Sequence, residues 1–218
     1  MAALTFPLSR AAFFDLLPIR KITLDIPEVV AHSRTRGGEI IASDNGARLW
    51  QAEITLGRTL REEFAQVRPL LNLLRGAAGS FMMCDPTRPF PQWDPTGSKL
   101  GSAGPVISAL PNAREISISG LPANYRLMRD DLIGFTYGTN PQRFALHEVV
   151  TPRNANASGA LTLLEVNPPL RPGAAVGAAI TLIRPVCKAM IVPGSFKPGG
   201  FDATLSEGTT FSVIQTLR

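Results

Sequence analysis

The sequence predicts a mainly β fold: a β-sandwich with one flanking α-helix, carrying an inserted small β-barrel or sandwich. Three observations point there. Apolar and polar residues alternate over many short runs, as Ile22, Leu24 and Ile26 do about Thr23 and Asp25, which is the two-residue period of a half-buried strand. Only one stretch, TLREEFAQVRPLLNLLRG, repeats apolar residues at three- and four-residue steps. Gly and Pro, at 19 each in 218 residues, punctuate the chain as a turn-rich β protein requires.

In chain order, residues 1–21 bring Phe6, Leu8, Phe13, Phe14, Leu16 and Leu17 without clean periodicity. They read as an opening strand or arm that docks on a neighbour. Residues 22–36 read as strand. Asn45-Gly46 then predicts a hairpin turn, because both residues tolerate positive φ. The strand after it sets Trp50, Ala52, Ile54 and Leu56 on one face. A helix is expected over about 59–75. Thr59 stands as N-cap with Glu62 three positions on, the spacing of a capping box. Leu60, Phe64, Val67, Leu71 and Leu74 form the apolar stripe. Glu62 and Glu63 sit in the first turn and Arg75 in the last, as the helix dipole favours. Gly76 takes the position after the cap. Pro69 removes a backbone donor and predicts a kink or a split. GAAGSFMMCDP follows as a strand.

After Pro86 the segment TRPFPQWDPTGSKLGSAGP is too rich in proline and glycine for a regular element and reads as a linker. Short strands are expected at 114–119, 132–137, 143–150, 160–166 and 179–183, with turns at NANASGA (154–160) and PPLRPG (168–173). That spacing suits a small barrel. Pro185 marks a return, and VCKAMIV, GGFDATLSE and TFSVIQTL supply three more strands. The expected domains are therefore a discontinuous belt of residues 1–94 and 185–218 and an insert of residues 95–184. Insertion also requires the strands that leave and re-enter the belt, Phe81–Cys84 and Val186–Ile191, to lie side by side. Cys84 and Cys187 would then come near each other while remaining thiols.

Composition narrows the function classes. The net charge is +5 and the pI about 9.8, but Lys and Arg are scattered, with no basic run to follow a nucleic acid. No charged region precedes the apolar N-terminal residues, and no apolar run approaches the roughly 20 residues of a membrane span. Charged residues make up 18%, below the roughly 25% of ordinary domains, so part of the surface is expected to be buried against partners. Two cysteines about a hundred residues apart make no disulfide framework.

Candidate chemistry is sparse. His32 and His147 lack partners at ligand spacing and read as structural. Cys84 with His147 makes a thiol–imidazole pair only if a third group orients it, and none is apparent. Asp130-Asp131 reads as a solvated turn in preference to a cation site. GSAG (101–104) lacks the lysine of a phosphate loop, and PGSFKPGG lacks the nucleophile-elbow pattern. Trp93, between Pro91 and Pro95, reads as packed under a loop before it reads as a sugar platform. No catalytic, metal or cofactor-binding residue is assigned, no cofactor is expected, and the chain reads as a non-enzyme.

The order of several short motifs resembles a known family. LLRGAAGSFMMCDP is similar to the helix, glycine segment, strand and Asp-Pro of the distal tail proteins of long-tailed bacteriophages and phage-like particles. GSKLGSAG, RDDLIGF, RFALHEVV and GALTLLEVNPPLRPG resemble that family's inserted module, and VCKAMIV and TFSVIQTL its closing strands. The resemblance covers roughly residues 35–218. It implies a structural virion protein: a hexameric ring at the distal end of the tail tube, assembled in the host cytoplasm. Its partners would be other copies of itself, the tail tube protein, and the baseplate hub and fibre proteins, with a tape-measure protein as a further candidate. DNA would pass through the central channel without specific recognition, and no membrane is involved. The alternative is a carbohydrate- or host-surface-binding module carried by the insert.

Overall fold

The computed structural model describes residues 4–202 and 204–218. Of the N-terminal arm, residues 1–3 lie outside the described residues, as does Ala203 within GGFDATLSE. The fold is mainly β, with one α-helix, several sheets, and one sheet curled into a half-barrel. The chain separates into two compact units. One holds the N-terminal residues to Asp15, Ser80–Ala189 and Leu217–Arg218; the other holds Leu16–Gly79 and Met190–Thr216. These boundaries fall at residues 79/80 and 189/190, whereas the expected domains divide at 94/95 and 184/185.

In the unit of Leu16–Gly79 and Met190–Thr216, the strand Gln51–Leu56 pairs antiparallel with Ile19–Asp25 on one side and Thr210–Gln215 on the other. Alternation sets Ala52, Ile54 and Leu56 inward together with Trp50, all nearly inaccessible, and Phe211 and Val213 of the returning strand are buried likewise. Pro27 follows Ile26 and ends the first strand, so the single strand expected over 22–36 is two, Ile19–Asp25 and Val30–Arg34. The expected hairpin is also displaced. Val30–Arg34 pairs with Ile40–Asp44 across a turn at residues 35–39, where Gly38 adopts φ +88° and the Thr35 hydroxyl accepts from the Glu39 amide. Asn45-Gly46 is the exit from that hairpin, its Asn45 amide donating to Val29.

The helix spans Arg61–Leu74. Phe64, Val67, Leu71 and Leu74 are its buried stripe, as their spacing predicts. Pro69 lies within it and does not split it. The capping box does not form: Leu60 occupies the N-cap, and no side chain caps the helix. Thr59 belongs instead to a two-residue strand, Thr59–Leu60, paired with Leu205–Glu207, which pairs in turn with Gly200–Asp202. Its hydroxyl donates to the Glu63 carboxylate at 2.7 Å. Leu60 is consequently exposed and leaves the stripe. Phe64 meets the edge of Phe201, with ring centroids 5.9 Å apart. Leu71→Ala is expected to cost about 2–5 kcal/mol, the range for emptying a closed apolar site, whereas the same change at exposed Leu73 should stay within about 0.5 kcal/mol. Denaturant midpoints at unchanged slope would measure both.

In the other unit, six strands run in the order Ile180–Thr181, Leu132–Tyr137, Arg143–Val149, Leu161–Asn167, Glu115–Ser119, Val106–Asn112. The two edges meet again through a bridge between Val106 and Ala179, and this curls the sheet. Ile107, Ile116, Ile118, Tyr125, Leu127, Ile133 and Leu164 are fully buried inside it. The expected strands are present within a few residues, except that 179–183 shortens to Ile180–Thr181. Val106–Asn112 is an additional strand.

Two expectations about this unit are corrected. The N-terminal arm docks on its own chain: Leu8 bridges Phe81, its amide donates to Ser80, and Phe13 stands edge-on to Phe81 at 4.8 Å. Phe13 and Phe14 are buried there, because Phe81 offers the apolar partner that the arm's irregular pattern needs. The proline-rich segment is folded, with Asp94 and Leu100 buried in it and Asp85 buried just before it. The leaving and returning strands do lie side by side, with Val186 opposite Cys84 and Cys187 opposite Met83. Directly opposed residues share a face and successive residues alternate. The two thiols therefore project from opposite faces, which prevents a disulfide, and both cysteines are free and buried.

Candidate functional site

Three aspartates hold the proline-rich segment against the curled sheet. A segment with few backbone donors cannot join a ladder, so side-chain carboxylates take up the N–H groups it has. Asp94 is fully buried and accepts from the amides of Lys99 (3.1 Å) and Leu100 (2.8 Å), with the Tyr125 hydroxyl at 3.4 Å. Asp85 accepts from the Thr87 amide and hydroxyl and from Arg88 Nε at 2.7 Å. Asp131 accepts from the amides of Gln92 (2.8 Å) and Met128 (2.7 Å). It is 2% exposed, so the expectation of a solvated Asp130-Asp131 turn fails at Asp131: its carboxylate is an internal clamp. Burial raises its pKa even though the two amides oppose the shift. Asp130, at φ +72°, pairs with Arg88, whose guanidinium also bonds Asp85.

Trp93 is half-buried in this segment. Its ring meets Tyr125 edge-on at 5.4 Å, and Lys99 Nζ stands 3.7 Å from its centroid. GSAG lies in a loop, as does PGSFKPGG up to the Gly200 that opens the Gly200–Asp202 strand, and within the latter the Ser195 hydroxyl donates to the backbone carbonyl of Val192.

The two histidines and the thiol are not brought into one site. His32 is exposed on the Val30–Arg34 strand. His147 is buried, stacks on Phe135 at 5.5 Å, and lies 2.6 Å from the Pro168 carbonyl through Nδ1. A carbonyl only accepts, so Nδ1 carries the proton of the neutral ring. Burial holds its pKa down at about 4, with the Pro168 bond opposing. Cys84 lies instead beside Arg10, which bonds Asp15 at 3.0 Å; burial nonetheless raises the Cys84 pKa, and Cys187 is pushed up to about 12. Among the described residues, no group of three or more His, Cys, Asp or Glu is placed to hold a metal ion.

His147 gives a pH dependence of definite sign. In the unfolded chain it titrates near 6.5, so between that value and about 4 the unfolded state binds more protons. Stability from this group is complete above pH 6.5 and falls as pH falls through the folded value, by about 3 kcal/mol in total. Denaturation midpoints measured from pH 7 to pH 4 should show this loss, and His147→Gln should remove that part of the slope.

The outstanding surface feature lies in the other unit. The hairpin Val30–Arg34 with Ile40–Asp44 forms a sheet of its own, and all ten of its residues are exposed. Ile40 is 57% and Ile41 61% exposed. The register places Ile40 opposite Arg34 and Ile41 opposite Ser33, so the two isoleucines emerge on opposite faces. A lone two-stranded ribbon is at best marginally stable in water, and its unpaired edges are templates for further strands. No helix among the described residues is long and apolar enough to cross a membrane, a statement that leaves strands aside. The chain matches no family model and no curated protein sequence.

Proposed function

We propose that this chain is a structural protein of a phage-type tail tip. In this reading six copies close into a ring that joins the tail tube to the hub and leaves a channel for DNA. The observation that carries it is the exposed Val30–Asp44 hairpin with its two uncovered isoleucines. Its occupant is a second copy of the same chain. A head-to-tail contact between unlike surfaces closes into a ring when its rotation allows, and it covers every ribbon in turn. The ribbon itself carries Arg34 at one end and Asp44 at the other, so it suits a mixed-charge surface. The resemblance of residues 35–218 to distal tail proteins supports the same reading, and it supplies the expected partners, the tube and hub proteins.

Ile40 and Ile41 are 57% and 61% exposed and emerge on opposite faces, so a neighbour seated on one face covers one of them, worth roughly 1–2 kcal/mol or about tenfold in affinity, whereas an aspartate in its place would put an uncompensated charge against that neighbour at a higher cost. Ile40→Asp with Ile41→Asp should therefore convert the wild-type ring into folded monomer. Light scattering after gel filtration reads the mass, and thermal denaturation confirms the fold. A variant that keeps the wild-type mass would remove the hairpin from the interface.

A further inference from the structure

A groove at the C-terminal end of the helix has a chemistry that the ring does not use. Its volume is about 420 Å³, within the roughly 300–1,000 Å³ of small-ligand sites. Asn72 and Arg75 line it from the helix, and Ile191, Val192, Pro193 and Phe196 line it from the returning chain. All six belong to the unit of Leu16–Gly79 and Met190–Thr216. Arg75 brings the one charge, and no carboxylate lines the groove among the described residues.

Both walls are held in place. Residues three apart on a helix share a face, so Asn72 and Arg75 project side by side along the flank of buried Leu71 and Leu74. The Arg75 guanidinium lies over the Phe196 ring, 4.6 Å from its centre, a cation–π contact that restrains it. Its N–H edge stays available, because no ion pair involves Arg75 among the described residues. The facing wall is the turn Val192–Ser195. Pro193 and Gly194 fill its centre, Gly194 at φ +79°, and the Ser195 amide donates to the Val192 carbonyl at 3.1 Å. Ser212 ties the turn at both ends: its carbonyl accepts from the Val192 amide at 2.9 Å, and its amide donates to the Ser195 hydroxyl at 3.1 Å. Ile191 is buried and Val192 half-buried, so this wall is apolar as well as fixed.

We propose that this groove binds a monocarboxylate with an apolar body. A carboxylate presents two oxygens on one edge, which a single guanidinium fork takes as a bidentate pair. The Asn72 amide supplies a further donor beside it. The apolar body lies against Val192 and Pro193. The helix ends here, and the partial negative charge of its C-terminus opposes an anion; the full charge of Arg75 outweighs it for a monoanion and leaves a dianion undermatched. A free carboxylic acid and the last residue of a peptide share this chemistry. The inference stands on the groove's own residues and not on the ring.

Isothermal titration calorimetry on the full chain tests it, with hexanoate, N-acetyl-leucine, N-acetyl-leucinamide, acetate and inorganic phosphate as probes. Hexanoate and N-acetyl-leucine should bind. The amide, which keeps the apolar body without the charge, and acetate, which keeps the charge without the body, should each bind at least tenfold more weakly, and phosphate no better than acetate. Tighter binding of N-acetyl-leucine would assign the source to a peptide C-terminus, and equal or tighter binding of hexanoate to a free acid. Arg75→Gln should weaken binding at least tenfold at an unchanged melting temperature. Arg75→Lys, which keeps the charge and loses the fork, should fall between; it also stands in should the Gln variant unfold. Absence of binding by both carboxylates, binding of the amide, acetate or phosphate as tight as theirs, or undiminished affinity in either variant would overturn the proposal.

Discussion

Gly159→Ala is expected to destabilise the unit of the curled sheet by about 4 kcal/mol. Two separate penalties combine. Gly159 sits at φ +76°, where a side chain strains the backbone by about 1–2 kcal/mol. An added Cβ would also lie 1.8 Å from the Leu121 carbonyl oxygen, and that atom cannot move aside freely because the Leu121 amide donates to the Gly159 carbonyl at 3.1 Å. Overpacking of this kind costs about 1–3 kcal/mol. Gly177, at φ +86° with open space around its Cβ position, is the control: alanine there should carry only the backbone strain. Thermal denaturation of the two variants would separate clash from strain, and equal losses would show that the close approach to Leu121 is unimportant.

Asp94→Ala should have a comparable effect, about 3–5 kcal/mol, and it should be local. The side chain is fully buried and its two oxygens satisfy the Lys99 and Leu100 amides. Each orphaned buried donor costs about 1–3 kcal/mol, and bonds to a charged acceptor lie at the upper end. The loss of order should concentrate in residues 87–105, because that segment has few ladder bonds to fall back on. Limited proteolysis should then cut there first, while the wild type resists. Asp94→Asn keeps one acceptor and should lose less.

Much of this fold was legible because its core follows simple periods. Trp50, Ala52, Ile54 and Leu56 alternate, Phe64, Val67, Leu71 and Leu74 recur at helical steps, and the structure buries all eight. What escaped the pattern was decided by tertiary partners. Thr59 has the identity and spacing of a cap, but pairing with Leu205–Glu207 takes its backbone into a strand. Asn45-Gly46 is a good turn pair, yet the turn forms at residues 35–39, where Gly37-Gly38 is equally permissive and Thr35 supplies a hydroxyl acceptor. The linker reading of residues 87–105 counted prolines and overlooked Asp85, Asp94 and Asp131, whose carboxylates replace the missing ladder. Little in the local sequence marks Asp131 as buried, since besides the Met128 amide three residues back its partner is the Gln92 amide, 39 positions away. The exposed hairpin was readable as apolar strand but not as isolated ribbon, because isolation depends on which strands fail to pair with it.

The proposed role rests on closure of a ring, and electron microscopy of the purified chain tests that most directly. The account predicts particles of six copies around an open channel, lost when Ile40 and Ile41 are both replaced by aspartate. A monomer that persists at high concentration, or a three-fold ring of single copies, would contradict it.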